Sequence, residues 1–544
     1  MFVSTVLNTE YSHISYRIRW YLKNLLHCKE NGWALITHEY IKNNFEQLQS
    51  EIDERFINDF EMRRFSLDEV RDVEQYFIPD EVFDNKERVS GSRTEMLLDT
   101  AYGEFEELET VFRNILSSIK KNNPNDPIEG VFYSLECFGC IKKVCEEEGI
   151  PLFAYSFSAI RKPHGYRQTL FLAHPEGELF GSHDSENRYT RFLQEDNSTI
   201  PVFSNREILA ILGKQRNLPL LQLIDHTPQY EMARCNDLGA MVPRSFAHTR
   251  YTDDDLRYET ELRYKSSDIV VRTHAAQLGY MQIDKSDIHN DPASYILSCK
   301  RLAAVHSQIM LKALLWKRSV ISPKYTMGFS FLCNTDYCDT KIADIKGLNF
   351  YIFCCLIPGG LMFSDSYWEW RLTQPTECEI YKRHLKYYIN ILNLPETILT
   401  EKSESKRLES ILRSRECDEE VIKDVLNNDQ GNDIDYYVAS SRFVCDGKSH
   451  WRLNKLKDGN IISRITLPKS NSGVVEFYPM DDVAGFTKLS SIIINGIQVM
   501  GETNYEYMRK VSGHYTIDLK DLNMDYILIE CVWNYKKVFD FLNS

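Results

Sequence analysis

Between Asp268 and Leu332 short apolar runs alternate with helix-forming stretches. Asp268 to Arg272 (DIVVR), Arg301 to His306 (RLAAVH) and Arg318 to Ser322 (RSVIS) read as strands, and the spacing predicts helices over Pro292 to Cys299 and Ser307 to Trp316. Apolar strands that alternate with helices specify a parallel, doubly wound sheet. Its right-handed connections bring ligands to the C-terminal strand ends. Arg272 with His274, Ser307 with Gln308, and the loop from Pro323 to Phe329 are therefore expected on one rim.

The N-terminal half repeats the theme. Phe2 to Leu7 reads as a strand, a polar loop runs through Ser15, an amphipathic helix continues to about Cys28, and Gly32 to Thr37 is a second strand. The loop between them lacks the G-x-G-x-x-G fingerprint, so no dinucleotide cofactor is expected. Residues 39 to about 125 are charged and helical in pattern, which predicts a helical insertion beside the sheet. The strand pattern resumes at Ile128 to Leu135, then a helix to Glu148 and a strand from Pro151 to Phe157. Residues 372–394 are aromatic and helical, and 401–435 form a charged helical linker ending in NNDQGND. From Tyr436 the pattern changes to closely spaced alternating strands with turns, which predicts an antiparallel β-sandwich over 436–544.

Composition narrows the function classes. A chain of 544 residues exceeds what one core holds and predicts two to three domains. The net charge of −15, from 64 basic and 79 acidic residues, argues against a general nucleic-acid binder. The start, MFVSTVLNTEYSH, has neither the basic nor the apolar part of a signal peptide. The longest apolar run, Phe350 to Phe363, contains Pro358-Gly359-Gly360 and is too short for a bilayer. A cytoplasmic protein with at most peripheral contact at the inner face of the membrane is expected. The fourteen cysteines read as reduced thiols. Cys137-Phe138-Gly139-Cys140, with Cys145 beyond, follows a strand and opens a helix, where a thiol can be activated; packing beneath the sheet is the simpler reading. Cys333 and Cys338 are poorly spaced to complete a zinc site.

The rim suits an anion. Ser307 is placed to cap the helix after it, where exposed N–H groups and the helix dipole favour negative charge, and Arg272 and His274 add donors. Asp291 before Pro292 reads as another cap, with Ser294 a further candidate ligand. In the N-terminal half Arg161, Lys162, His164, Tyr166, Arg167 and Gln168 crowd into eight residues around the turn formers Pro163 and Gly165. A solvated basic surface loop is the plain alternative. Asp253-Asp254-Asp255 precedes a helix and reads as capping.

The series R-x-H…D-P-x-S…S-Q-x-x-x-x-A-L, carried by residues 272–314, resembles the donor-binding half of bacterial GT-B glycosyltransferases of capsule and lipopolysaccharide synthesis. It is nearest to enzymes that use CMP-linked 3-deoxy-manno-octulosonic acid (Kdo). The match is good over about 265–330 and loose elsewhere. The resemblance implies an α/β fold of two Rossmann-like domains, 1–215 on the acceptor side and 216–400 for the nucleotide sugar, before the sandwich. It implies donor contacts from Arg272, His274, Asp291, Ser294, Ser307, Gln308 and Lys312, and acceptor contacts from Tyr166, Gln168 and Asp184. Three departures stand out. Ala275 follows His274 where the family has proline; Lys312 stands where many GT-B enzymes have a ribose-binding glutamate; and the loop Ser156 to Arg161 lacks the family's catalytic acid.

A base or nucleophile must then come from elsewhere. Glu136, Asp184, Asp225 and Glu231 are the candidates, Glu136 and Asp225 foremost, with Arg161 and His164 steadying charge in catalysis. Arg272, His274 and the Ser307 helix end would neutralise the leaving phosphate, so no metal and no cofactor are expected. The implied partners are a nucleotide-sugar donor and an oligosaccharide or lipid-linked glycan acceptor. A non-catalytic glycan-binding or scaffolding protein of the same fold is the alternative. Residues 474–496 are similar to modules attached to bacterial polysaccharide glycosyltransferases, where Trp451, Tyr478 and Tyr505 could stack on sugar rings.

Overall fold

The computed structural model describes residues 1–7, 14–43, 48–53, 57, 62–134, 139–157, 169–173, 182–212, 238–242, 253–264, 269–273, 301–305, 309–315, 317–322, 327–414, 419, 422–423, 426, 436–446, 448–457, 460–468, 474–478, 489–500, 515–518 and 526–534. Strand β1 (Phe2–Val6) is buried along its whole length, as an apolar strand covered on both faces must be. It leads through helix α1 (Ile14–Asn31) to β2 (Ala34–His38) and then to β3 (Gln75–Ile78). Helices α2 (Arg93–Tyr102) and α3 (Glu106–Asn122) precede β4 (Gly130–Ser134), α4 (Gly139–Glu147), β5 (Leu152–Phe157) and β6 (Thr169–Ala173). The first five strands are parallel in the order β3-β2-β1-β4-β5, with the switch between β1 and β4, and β6 pairs antiparallel at the edge.

Alternation along these strands sorts the core into two layers. Phe2, Leu35, Phe132 and Phe153 share one cluster with Trp20, Leu22 and Leu25 of α1. Val3, Ala34, Ile36, Val131 and Tyr133 share the other with α2 to α4. Cys140 and Cys145 are buried in that second layer, as the packing reading expects, while Cys137 lies outside the described residues. A side chain at Gly139 would lie 2.3 Å from the carbonyl oxygen of Ala101, so glycine permits α4 to pack this closely on α2. The region expected to be only a helical insertion also supplies β3. This four-residue edge strand is mostly half-buried, too short and too mixed in polarity to show a period.

Helix α5 (Ser182–Gln194) follows, and a second parallel sheet begins at β7 (Leu238–Val242). Helix α6 (Asp253–Arg263), β8 (Ile269–Thr273), β9 (Arg301–Ala304), α7 (Ile309–Leu315) and β10 (Ser319–Ile321) complete it, in the order β8-β7-β9-β10. Asp253, Asp254 and Asp255 begin α6 rather than precede it. The three strands foreseen in this region are present, and β7 joins them at the centre. The predicted helix over 292–299 lies outside the described residues.

The chain then returns to the first sheet. A buried π-helical turn, Tyr351–Cys355, runs into β11 (Leu356–Pro358), which pairs with β6 as the seventh strand. Helices α8 (Asp365–Leu372) and α9 (Glu377–Leu392) follow. Trp368 of α8 packs on Phe132 and Phe153 with ring centroids 4.7 and 4.9 Å apart. The return thus falls within the apolar run 350–363, ahead of the aromatic, helical stretch 372–394.

A buried polar network fastens the return. Arg188 of α5, 1% exposed, donates from Nε and Nη2 to both carboxylate oxygens of Glu377, and Arg191 adds a third donor at 3.2 Å. Glu195 caps α9 by accepting from the backbone N–H groups of Glu377 and Cys378. Deeper in, His384 Nδ1 lies 3.1 Å from the Phe353 carbonyl and therefore carries the proton. Nε2 is left to accept from the Tyr367 hydroxyl at 2.6 Å, and that hydroxyl accepts from Arg371 Nη1 at 3.0 Å. Donor direction is consistent along the whole chain.

The C-terminal strands are β12 (Tyr436–Cys445), β13 (Lys448–Lys457), β14 (Asn460–Pro468), β15 (Val474–Tyr478), β16 (Leu489–Ile494), β17 (Ile497–Met500), β18 (Tyr515–Asp518) and β19 (Tyr526–Asn534). They are antiparallel, as expected, in the order β17-β16-β19-β14-β13-β12-β15-β18. Nine-residue pairing of β14 with β19 joins them into one hydrogen-bonded sheet of eight strands. Phe443, Ile465, Phe477, Ile492 and Ile529 are buried on one face, whereas Arg464 and Glu530, one residue out of phase, form an ion pair on the other.

Candidate functional site

The second sheet has its topological switch between β7 and β9. Its chain runs from β7 to β8 on one side and then to β9 and β10 on the other, all four parallel. All four C-terminal ends, Val242, Thr273, Ala304 and Ile321, consequently open on one edge, and the crevice for a ligand lies between Val242 and Ala304. Arg272 is the fourth residue of β8 and pairs through its backbone with Met241 of β7. Lys312 lies half-buried one turn into α7. His274, Asp291, Ser294, Ser307 and Gln308 lie outside the described residues, the last two in the three-residue interval between Val305 and Ile309.

Past β10 the rim loop is anchored at both ends by buried polar groups. Ser322 and Ser330, both fully buried, face each other with hydroxyls 3.1 Å apart, and Ser330 Oγ accepts from the Met327 N–H at 2.9 Å. Ser322 N–H donates to the Asn334 carbonyl and Asn334 N–H to that of Val320, so residue 334 continues the sheet beside β10. The Asn334 amide donates to Ser319 Oγ and to the Lys341 carbonyl. Ser330→Ala would leave the Met327 N–H and one partner of Ser322 unmet. The expected loss is about 1–3 kcal/mol, read as a lower urea midpoint with unchanged m.

The first sheet offers a second rim. Phe157 at the end of β5 and Thr169 at the start of the antiparallel β6 lie at its C-terminal edge. The basic stretch connecting them, with Arg161, His164, Tyr166 and Gln168, lies outside the described residues, as do Glu136 and Asp225. Asp184 is in the first turn of α5, one turn before Arg188. Sequence reasoning missed β7 and with it the crevice. LGAMV is only five residues, contains a glycine and does not alternate. Its signals are the turn formers Asn236-Asp237 and Pro243 on either side and an uncharged interruption in a polar stretch.

Among the described residues no cluster of three or more His, Cys, Asp or Glu side chains is placed to hold a metal, and no helix is long and apolar enough to cross a membrane. No family model matches the chain, and no curated protein does. Several solved structures are similar in part. KpsC, the beta Kdo 2,7 transferase of Thermosulfurimonas dismutans, is 12% identical over 45% of this chain and 82% of its own, with a TM-score of 0.30. UDP-GlcNAc 2-epimerase of Methanocaldococcus jannaschii is 12% identical over 61% of this chain and 86% of its own, with a TM-score of 0.24. UGT89C1 of Arabidopsis thaliana, complexed with UDP, is 11% identical over 76% of this chain and all of its own, with a TM-score of 0.23. Superpositions this loose carry no argument about activity or substrate.

Proposed function

We infer that the chain is a glycosyltransferase of the two-Rossmann type, moving a sugar from a nucleotide-activated donor to a growing surface glycan. The observation that carries this reading is the order β8-β7-β9-β10. It puts the chain leaving β7 and β9 on either side of one crevice, with Arg272 at the end of the adjoining strand. In this reading Arg272, His274, Ser307 and Gln308 receive the donor phosphate and neutralise it as it leaves, which removes the need for a metal ion. Asp291, Ser294 and Lys312 complete the donor site, and a lysine there prefers a phosphate or carboxylate to a ribose hydroxyl pair. Glu136 or Asp225 takes the acceptor proton, Arg161 and His164 steady the charge that develops, and Tyr166, Gln168 and Asp184 hold the acceptor.

One placement also favours glycan binding by the C-terminal sheet. Trp451 and Tyr478 both pair with Arg442 in backbone register across three neighbouring strands. In this reading the two aromatic residues stack on sugar rings.

Thermal unfolding against CMP-, UDP-, GDP- and dTDP-linked ligands tests the donor site. One nucleotide class is expected to stabilise the protein by about 2.7 kcal/mol at a hundredfold excess over its Kd, with the shift lost in His274→Ala. No shift with any class, in the presence of acceptor glycan, would leave only the non-catalytic glycan-binding reading.

A further inference from the structure

The helices that follow the return strand carry four carboxylates and four basic side chains, but these do not all pair with one another. Arg188, Arg371 and Arg383 all act on the buried His384, while Glu377 is taken up by Arg188 and Arg191. Arg371 and Arg383 form no ion pair among the described residues. Each is half-buried and lies against one ring, with guanidinium carbons 5.9 and 5.5 Å from the centroid of Tyr367. Arg383 also covers Trp370 at 4.2 Å. Their orientation is fixed from below: Arg371 donates to Tyr367, which is held by His384, and Arg383 rests on an indole. Exposed Lys382 and Lys386 flank Arg383 on α9. Of the other carboxylates on these helices, Glu379 closes the capping box with Thr376 and Glu369 is exposed.

Two fixed guanidinium groups on different helices, neither in an ion pair among the described residues although Arg371 acts at longer range on Glu377, both lie against Tyr367 and bring a combined charge of about +2. A carboxylate would be satisfied by a single arginine fork, whereas a phosphate has oxygens for both. The geometry points to a binding site for a phosphate group, free or esterified, between α8 and α9, with Arg371 and Arg383 as its two donors. The site is separate from the sugar-nucleotide rim. Its helices follow β11, a strand of the first sheet, where Trp368 anchors α8 on Phe132 and Phe153, whereas the rim belongs to the second sheet.

The test uses the full chain with inorganic phosphate, at ionic strength held constant with chloride, and with vesicles of phosphatidylglycerol in phosphatidylcholine. Phosphate is expected to raise the melting temperature beyond the chloride control, and Arg383→Gln to weaken the response about tenfold. Arg383→Gln leaves the Tyr367–His384 pair intact. Arg371→Lys, which keeps the charge but loses the fork, is expected to weaken the response less and serves if the first variant fails to fold. Sedimentation with anionic but not neutral vesicles, lost in Arg383→Gln, would make the ligand a lipid headgroup. A phosphate response without vesicle binding would make it a soluble phosphorylated compound. The site is refuted if folded wild type and Arg383→Gln respond alike, if neither probe has an effect, or if the phosphate response disappears in His274→Ala, which would move the anion to the rim.

Discussion

Arg188→Met is expected to destabilise the protein by about 3–5 kcal/mol, because it strands Glu377 as a buried carboxylate without its counter-charge. Glu377 is 5% exposed, and burial alone would raise its pKa; the Arg188 guanidinium outweighs burial and holds it down at about 2. Without Arg188 the half-exposed Arg191, Arg371 at longer range, the helix N-terminus and the Cys354 thiol at 3.2 Å remain to support the charge. Urea unfolding of Arg188→Met, Glu377→Leu and Arg188→Met/Glu377→Leu closes the cycle. The double variant is expected to recover most of the loss, since a packed apolar pair can replace a buried ion pair at little cost. A loss below about 1 kcal/mol for Arg188→Met would mean that the pair is as weak as one on the surface.

Stability is also expected to fall steeply with acid, by about 4 kcal/mol between pH 7 and pH 5. His27 is fully buried against Trp33 and Phe363, and burial, assisted by Lys23, pushes its pKa down to about 3. His384 lies well below the usual histidine range, through burial first and then Arg371 and Arg188. Both rings are neutral when folded, and the unfolded chain alone takes up protons below about pH 6.5. The stabilisation is thus complete above 6.5 and shrinks as pH falls, by about 2 kcal/mol per histidine over this interval. Glu377 acts in the same sense lower down, its contribution present above about 4.5 and lost toward 2. His27→Gln should remove half of the slope between pH 7 and pH 5 in denaturation series; an unchanged slope would show that His27 titrates normally in the folded protein.

Where burial imposes a period, the structure was legible in the sequence. β1, β2, β4 and β5 are apolar runs between turn formers, and they stand within two residues of their expected bounds. β8, β9 and β10 were legible for the same reason. β3, β7 and β11, of four, five and three residues, were not. They are defined by partners distant in sequence, and on runs this short the turn formers beside them, such as Pro79 and Pro243, do not single out a strand. β11 was hidden further because its apolar run continues from the π-helical turn without a break. Of the rim, Arg272 could be read because it ends a recognisable strand. The Ser322–Ser330 contact could not, because two serines eight residues apart have no sequence signal until a loop folds them together. The Arg371–Tyr367–His384 chain spans two helices; only its i, i+4 arginine–tyrosine step is local.

The seventh strand also dictates an order of events during synthesis. β6 is complete by Ala173, but its neighbour β11 does not emerge until some 180 residues later, and with it come Ile357, Tyr367 and Trp368 of the first core layer. Until then a nascent chain carries an open sheet edge beside an uncovered apolar face, the combination that invites pairing with another copy. A fragment ending near residue 215 would keep that exposure permanently. The first half of this protein is therefore unlike a module that can be cut out and expressed alone, and its folding is completed by sequence from the second.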